Sequence, residues 1–232
     1  MNSTSLSIVM PVLDEAGGIV AVLRALAPLR EAGCELLVVD GGSADATPAL
    51  AAPWVDRVLV APRGRASQMH AGAMAARGEA LVFLHADTRL PTQAVDLIVG
   101  ALAAGREWGR FDVRIEGRSR WLPLVALMMN LRSRLTGIAT GDQAIFVTRT
   151  AYDAAGGFPD IPLMEDIALS RRLRRIASPV CLRAPVVTSG RRWEAHGVWR
   201  TILRMWRLRL RYFLGADPRT LALDYGYRPR DD

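Results

Sequence analysis

The first 105 residues alternate short, mainly apolar runs with stretches in which apolar residues recur at helical spacing. The apolar runs cover residues 6–12, 36–39, 55–61 and 80–84, and helical patterns follow over 17–31, after residue 43, over 66–77 and from about residue 91. Runs that are apolar on both faces are typical of parallel strands, because helices cover both sides of a parallel sheet. The sequence therefore predicts an α/β fold with a mostly parallel sheet flanked by helices.

Three of the four predicted strands end in acidic residues, namely Asp14-Glu15, Asp40 and Asp87. A single aspartate after a strand is most often a turn residue or a helix cap. Ligands of such sheets, however, bind at the carboxyl ends of the strands, so these three acidic segments are predicted to lie at one edge. This coincidence favours a ligand site over three independent caps.

The residues beside these acids suggest the chemistry. Asp40 is followed by Gly41 and Gly42, which let the backbone turn tightly and a flat ligand approach. Its carboxylate could accept hydrogen bonds from a nucleobase or a ribose hydroxyl. His85 and Asp87 project on the same side of an extended chain, where a carboxylate and an imidazole suit Mg²⁺ or Mn²⁺ bound to substrate phosphates.

After residue 106 the regular alternation stops. Strands are predicted over 111–115, over 143–148 and as a pair around Pro185 within 180–187. Helices are predicted over 163–176 and 195–214, and the polar segment after Asp224 is expected to be loose. The apolar stretch 121–129 is too short to span a bilayer.

Charge divides the chain unevenly, and all 30 basic residues are arginine. Residues 1–105 hold 7 arginines and 10 acids, whereas residues 106–232 hold 23 arginines and 13 acids. The basic half implies an anionic partner, which is a phosphorylated substrate, a membrane surface or a nucleic acid. Cys34 and Cys181 lie in apolar runs and the N-terminus has no signal-peptide pattern, so a cytoplasmic location is expected.

Four motifs, in this order, resemble family 2 glycosyltransferases of the GT-A fold: Pro11-Val12-Leu13-Asp14-Glu15, Val39-Asp40-Gly41-Gly42-Ser43-Ala44-Asp45-Ala46-Thr47, His85-Ala86-Asp87-Thr88 and Glu165-Asp166. The resemblance covers roughly residues 6–214. Three segments are also similar to a bacterial subgroup of glycosyltransferase-like transferases associated with radical-SAM or arsenosugar gene clusters: Gly141-Asp142-Gln143-Ala144-Ile145-Phe146, Met164-Glu165-Asp166 and Ser189-Gly190-Arg191-Arg192-Trp193-Glu194.

The resemblance implies a single Rossmann-like domain in which residues 6–105 bind a nucleotide-sugar, 106–214 bind the acceptor and 215–232 form a tail. It also implies a metal-dependent, inverting transfer from a nucleotide-diphosphate donor, with a UDP-sugar expected, to a small or lipid-linked hydroxyl acceptor. Mn²⁺ or Mg²⁺ would be the cofactor, held by Asp87. Asp166 would be the general base, and Glu165 would orient Asp166 or the acceptor.

Further roles follow from the same resemblance. Residues that would line the donor are Pro11, Val12, Leu13, Glu15, Asp40, Arg65, His85, Ala86 and Arg192, and those on the acceptor side are Asp142, Gln143 and Trp193. Arg65 is equally well explained as an ordinary arginine at a helix start. Arg191 and Arg192 could neutralise the leaving diphosphate.

The chain departs from the family pattern at three places. His85 replaces the first acid of the usual Asp-x-Asp motif, so it is a metal ligand, a phosphate donor or a bystander. Gly41 stands where a second aspartate is common, and Arg191-Arg192-Trp193 differs from the Gln-x-x-Arg-Trp motif of processive enzymes, which argues against polymer synthesis. His196 is a weaker candidate metal ligand, since a lone histidine near a helix start is more often structural.

The last predicted helix, 195–214, has an apolar face and an arginine-rich face. The apolar face comprises Trp199, Ile202, Leu203, Trp206, Leu210 and Phe213, and the arginines are Arg200, Arg204, Arg207 and Arg211. We expect the apolar face to pack on the sheet or in a homodimer. Peripheral contact with the inner face of an anionic membrane is the alternative.

Other classes of protein fit the sequence less well. A nucleotidyltransferase would need a glycine- and lysine-rich phosphate loop after the first strand, whereas Glu15-Ala16-Gly17-Gly18 is acidic and short. A nucleic-acid-binding protein would not need Asp40, Asp87 and Asp166 around one cleft, and aromatic residues for base stacking are few, so no nucleic acid is expected as a partner. A catalytically silent nucleotide-sugar-binding relative remains open because of His85.

Overall fold

The computed structural model describes residues 4–227. Its strands are β1 (Leu6–Val12), β2 (Glu35–Asp40), β3 (Arg57–Val60), β4 (Ala80–Phe83), β5 (Thr88–Arg89), β6 (Trp108–Glu116), β7 (Ile145–Thr148) and β8 (Val180–Ser189). They form one sheet in the order β3-β2-β1-β4-β7-β6-β8-β5. The pairs β1–β2, β1–β4, β2–β3 and β6–β8 are parallel, and the other three are antiparallel. The predicted mostly parallel α/β sheet is therefore confirmed.

The α-helices surround this sheet. They are α1 (Ile19–Glu31), α2 (Thr47–Ala51), α3 (Arg65–Ala75), α4 (Ala94–Ala103), α5 (Leu122–Thr136), α6 (Arg149–Ala154), α7 (Glu165–Leu173), α8 (Arg191–His196), α9 (Val198–Phe213) and α10 (Pro218–Asp224). Short 3₁₀ helices cover Ala52–Trp54 and Gly141–Gln143. No helix within residues 4–227 combines the length and the apolar character that crossing a membrane requires.

The core lies on both faces of the sheet because alternate residues of each strand point to opposite sides. In β1, Ile8 and Met10 pack in one buried cluster with α1, while Val9 packs in a second cluster with Met69 of α3. All seven residues of β1 are buried. This two-sided burial explains why the strand is apolar throughout.

Close packing of α3 on the sheet depends on Gly72, since an added Cβ would lie 2.3 Å from Cγ1 of Val9 and 2.8 Å from Cγ2 of Val39. We expect Gly72→Ala to lower the free energy of unfolding by about 1–3 kcal/mol through overpacking. Gly100→Ala in α4 is the matched control, because nothing lies within 4 Å of its added Cβ. The control should be neutral or stabilise by up to about 1 kcal/mol. Urea unfolding measures both, and equal effects of the two substitutions would contradict the packing argument.

Two elements that the sequence predicted in the second half need correction. Residues 180–187 form a single strand, β8, and not a strand pair. The register shift between Phe111 and Asp112 of β6 absorbs the extra residues of β8 before Pro185, which fits proline's inability to donate to a regular ladder. The helix predicted over 195–214 is divided at Gly197, whose φ is +80°.

The segment predicted as a tail, 215–232, contains α10, whose Leu221 and Ala222 are buried beside Leu208 of α9 and Ile167 of α7. Residues 228–232 of that prediction lie outside the described part of the chain. Helix α9 packs through Val198, Thr201 and Leu208.

The face of α9 that we expected to pack on the sheet is instead exposed. Its residues Trp199, Leu203, Trp206, Leu210 and Phe213 are 54–68% exposed, and only Ile202 is partly buried against the core. The expectation of packing on the sheet is therefore wrong for most of this face. The reason is that Val198, Thr201 and Leu208, on a neighbouring face of the helix, already fill the contact with the rest of the chain.

Candidate active site

The loops after β1 and β2 interlock at the carboxyl edge of the sheet. The amide of Asp14 donates to Oγ of Ser43 (2.9 Å), and the amide of Ala44 donates to Oδ1 of Asp14 (2.7 Å). The amide of Glu15 donates to Oγ1 of Thr47 (2.8 Å). Asp14 has a positive φ of 54°, and its bonds to the second loop hold that backbone in place. The two predicted donor-binding segments thus form one unit.

Asp40 is buried beneath this unit and shapes it. Its Oδ2 accepts from the amides of Gly42 (2.9 Å) and Ser43 (3.0 Å), and its Oδ1 accepts from the hydroxyl of Ser43 (2.5 Å). Only 3% of Asp40 is exposed. The carboxylate is satisfied by its own loop, so hydrogen bonding to a nucleobase stays a prediction.

Gln68 of α3 supports both loops from below, a role that the sequence did not reveal. Its Nε2 donates to the carbonyls of Val12 (2.8 Å) and Val39 (2.7 Å), and the side chain is buried. Gly41 lies against it, since a Cβ there would be 2.9 Å from Oε1 of Gln68. Glycine at this position therefore leaves room for the buried side chain of Gln68.

The other predicted donor residues divide into core and surface positions. Pro11, Val12 and Ala86 are buried, so only their backbone is available to a ligand. Leu13 and Glu15 are partly exposed. Burial raises the pKa of Glu15, an effect that the nearby Arg191 opposes and the charge of Asp87 reinforces.

Asp87 follows β4 and lies between the donor loops and the C-terminal segment. It lines a large cavity together with His85, Arg65 and Asp142, and its carbonyl accepts from the amide of Ser189 (3.2 Å). Arg191 approaches Glu15 to 3.8 Å across this region. The structure therefore places Asp87 beside other charged residues of the cavity, and its binding of a metal stays a prediction.

His85 packs tightly against the 3₁₀ helix that begins at Gly141. A Cβ on Gly141 would lie 2.3 Å from Cε1 of His85, so glycine is required for this approach. Nδ1 of His85 faces Oδ1 of Asp142 at 3.5 Å, and its buried Nε2 has no hydrogen-bond partner among residues 4–227. His85 thus orients Asp142, and its predicted contact with a metal stays a prediction.

Asp142 points into the cavity with 43% of its side chain exposed. Desolvation would raise its pKa, but the hydrogen bond and charge of His85 and the charges of Arg192 and Arg65 hold that pKa at about 2. Gln143 differs, because it is fully buried and forms a capping box with Thr140. Of these two predicted acceptor-side residues, only Asp142 lines the cavity.

Glu165 and Asp166 begin α7, where a helix N-terminus favours negative charge. Oδ2 of Asp166 accepts from the amide of Gly141 (2.9 Å), which brings it beside the His85–Asp142 pair. Glu165 is 4% exposed, and Oε1 lies 3.3 Å from Nε of Arg65. Burial raises the pKa of Glu165, and Arg65 opposes that rise. Arg65, the first residue of α3, is thus held beside the cavity by Glu165, and its contact with a donor stays a prediction.

The cavity has a volume of about 630 Å³ and extends from Asp87 and Asp142 to the helices α5 and α9. Arg192 and Trp193 line it, and Arg192 donates to the hydroxyl of Tyr225, which lines it as well. His196 is exposed at the end of α8 and does not line the cavity, so the structure does not support it as a metal ligand. Two further lining residues, Arg132 and Arg209, were missed from the sequence because nothing in it relates α5 to α9.

Comparisons with solved structures identify the fold. Glucosyl-3-phosphoglycerate synthase of Mycobacterium tuberculosis, in complex with Mn²⁺, UDP and glucosyl-3-phosphoglycerate, is similar with a TM-score of 0.60 and 22% identity over 78% of this chain and 70% of that one. Mannosyltransferase PcManGT of Pyrobaculum calidifontis, in complex with GDP-Man and Mn²⁺, has a TM-score of 0.59 and 18% identity over 82% and 57% of the two chains. The chain has the GT-A fold of these enzymes, as the sequence predicted.

Comparisons of sequence identify the family. The model of glycosyl transferase family 2 matches residues 7–152, which is more than half of the chain. An uncharacterised glycosyltransferase of Mycobacterium bovis is 33% identical over 108 residues, which are 46% of this chain and 48% of that protein. The chain thus spans about half the length of this relative. It belongs to glycosyl transferase family 2.

Proposed function

We propose that the chain is a metal-dependent, inverting glycosyltransferase that moves a sugar from a UDP-sugar to a hydroxyl acceptor, small or lipid-linked. The observation that carries the proposal is the convergence of Asp87, Asp142 and Arg65 on one cavity, with Asp166 hydrogen-bonded to the amide of Gly141, the residue before Asp142. The ligands of two similar structures, UDP with Mn²⁺ in one and GDP-Man with Mn²⁺ in the other, support a nucleotide-sugar donor.

A divalent cation fits the residues present. Asp87 offers a carboxylate in the cavity, and Mg²⁺ or Mn²⁺ is commonly held by one or two carboxylates, substrate phosphates and water. Among residues 4–227 no group of three or more His, Cys, Asp or Glu side chains is arranged to hold a metal alone, so the diphosphate would complete the site. When bound, the cation would neutralise negative charge on the diphosphate. His85 is a further candidate ligand.

The proposed transfer uses Asp166 as the base. The acceptor oxygen forms a bond to the anomeric carbon as the bond from that carbon to the diphosphate oxygen breaks, and the diphosphate leaves with the electron pair. The carboxylate of Asp166 takes the hydroxyl proton. Arg192 lines the cavity and Arg191 lies beside Glu15 of the donor loops, so both would stabilise the charge on the leaving diphosphate.

We also propose that the chain contacts a membrane surface. The exposed apolar face of α9, flanked by arginines, supports peripheral contact at the inner face of a membrane, a contact that a homodimer would compete with. Flotation with vesicles that contain phosphatidylglycerol tests the contact, and absence from the floating fraction would exclude it.

The motifs around Gly141 and Arg191 support membership of the radical-SAM or arsenosugar-associated subgroup.

Calorimetric titration with UDP, with and without Mn²⁺, tests the proposed function. We expect binding that Mn²⁺ strengthens, and release of UDP from UDP-sugars when an acceptor is supplied. A catalytically silent relative would bind UDP but release none in any acceptor mixture. Failure of every nucleoside diphosphate to bind with metal present would reject the transferase itself.

A further inference from the structure

The outer part of the cavity is an apolar groove between α5 and α9. Its walls are formed by Leu124, Met128 and Leu131 from α5 and by Ile202, Met205 and Trp206 from α9. Leu124, Met128 and Leu131 are 44–48% exposed, and Trp206 is 62% exposed. Large apolar side chains that line an open groove are typical of a binding surface for an apolar ligand.

Two arginines lie where this groove meets the polar end of the cavity. Arg132 comes from α5 and Arg209 from α9, so the same two helices supply the apolar walls and these charges. Nε and Nη2 of Arg132 and Nε of Arg209 are shielded from solvent and have no hydrogen-bond partner among the residues that the structure describes. Unpartnered buried donors of a charged group are costly, and an anionic ligand would satisfy them.

The surrounding charges relieve this cost only in part: the charge of Asp166 favours both arginines and that of Asp142 favours Arg209, yet the pKa of each arginine stays lowered. Asp112, on β6, is already paired with Arg110 and with Arg134 (2.5 Å). Burial and the charge of Arg209 lower the pKa of Arg132 to about 10, and burial also lowers the pKa of Arg209. Arg132 and Arg209 line the same cavity as Asp142, and the neighbouring amide of Gly141 donates to Asp166, the proposed base, so a group held between the two arginines would lie near the site of transfer.

We propose that the acceptor is a phosphate-bearing amphiphile, whose head group binds Arg132 and Arg209 and whose apolar chain lies in the groove between α5 and α9. This inference rests on the proposed transferase function and deepens it by naming the class of acceptor. Charge complementarity selects the head group, because paired guanidinium groups bind phosphate with charge-assisted hydrogen bonds. The apolar walls favour a phosphate that carries a hydrocarbon chain over a small soluble phosphate.

The position of the head group fits the direction of transfer. The accepting hydroxyl would be next to the phosphate, so that its proton passes to Asp166 as its oxygen bonds to the anomeric carbon, and UDP leaves with the electron pair. The exposed apolar residues of α9 continue from the groove to the surface. A chain bound in the groove could therefore enter from a membrane.

Binding of decyl phosphate, below its micelle concentration, tests the inference through tryptophan fluorescence, because Trp121, Trp193, Trp199 and Trp206 all line the cavity. We expect a blue shift, and affinity about 100-fold or more above that of inorganic phosphate because the chain is buried. Decyl maltoside, which has the same chain and no charge, should bind at least about 10-fold more weakly. Equal affinity of decyl phosphate and decyl maltoside, or of decyl phosphate and inorganic phosphate, would overturn the inference.

Substitutions locate the head group. Arg132→Gln and Arg209→Gln should each weaken decyl phosphate binding about 10-fold or more, since each removes charge-assisted hydrogen bonds. Arg207→Gln is the matched control, because Arg207 is on the same helix, exposed and outside the cavity, and it should change binding less than about 2-fold. Unchanged binding in both cavity variants would refute the assignment.

Two further measurements distinguish acceptor binding from misfolding of a variant and from self-association of the chain. UDP titration with Mn²⁺ on each variant shows whether the variant is folded and its donor site intact. If the unmodified protein binds UDP but not decyl phosphate, the proposed class of acceptor is refuted and the proposed transferase function is not. Light scattering tests for a second copy of the chain on the groove. If the chain forms a dimer that Trp206→Ser dissociates but decyl phosphate does not, the groove serves self-association and the inference is overturned.

Discussion

Asp166→Asn should lower the rate of sugar transfer about 10²–10⁴-fold while the affinity for UDP with Mn²⁺ stays near that of the unmodified protein. The amide has the size of the carboxylate, and its oxygen can still accept from the amide of Gly141, which now bonds Oδ2 at 2.9 Å. It has no capacity to take a proton from the acceptor. The loss should therefore fall on the chemical step.

Steady-state and single-turnover release of UDP measure this effect. Asp153→Asn is the control, because Asp153 is an exposed carboxylate on α6 away from the cavity, and it should retain full activity. A loss of donor affinity in Asp166→Asn, in a protein that unfolds at the usual denaturant concentration, would count against its role as base. Full activity of that variant would exclude the role altogether.

The first half of the fold was predictable because its signals are local. β4 is wholly apolar, β1 is apolar except for Ser7, and β2 is apolar between Glu35 and Asp40, as is typical of buried parallel strands. The second half was less accessible, because β7 and β6 join the sheet through antiparallel pairs between segments far apart in sequence. The two-residue strand β5, which pairs with β8 about 100 residues later, has no periodicity that a sequence could display.

The candidate site shows the same division. Asp14, Asp40 and Asp87 were placed together by a rule of topology, that parallel strands end at one edge. Gln68 was not foreseen, since its role depends on how α3 lies under two loops. The orientation of α9 was also beyond local reasoning, because both of its faces carry apolar residues and only tertiary contacts decide which is buried.

Asp87→Asn should remove the increase in UDP affinity that Mn²⁺ provides, a loss of about 10-fold or more. An amide is a poorer ligand than a carboxylate for a hard divalent cation, and Asp87 is the carboxylate that follows β4 into the cavity. Calorimetry with and without Mn²⁺ measures the difference directly. Asp96→Asn, at an exposed position in the first turn of α4, is the control and should keep the full effect of the metal.

The same titration decides the role of His85. Because its ring packs on Gly141 and faces Asp142, we expect His85→Asn to keep most of the metal-dependent gain, and an equal loss in both variants would make His85 a ligand. Binding of UDP without metal should persist in Asp87→Asn, since in the proposed donor site the interlocked loops after β1 and β2 would hold the base and ribose independently of the diphosphate. Complete loss of UDP binding would therefore mean that Asp87 shapes the donor loops and does not act through a cation.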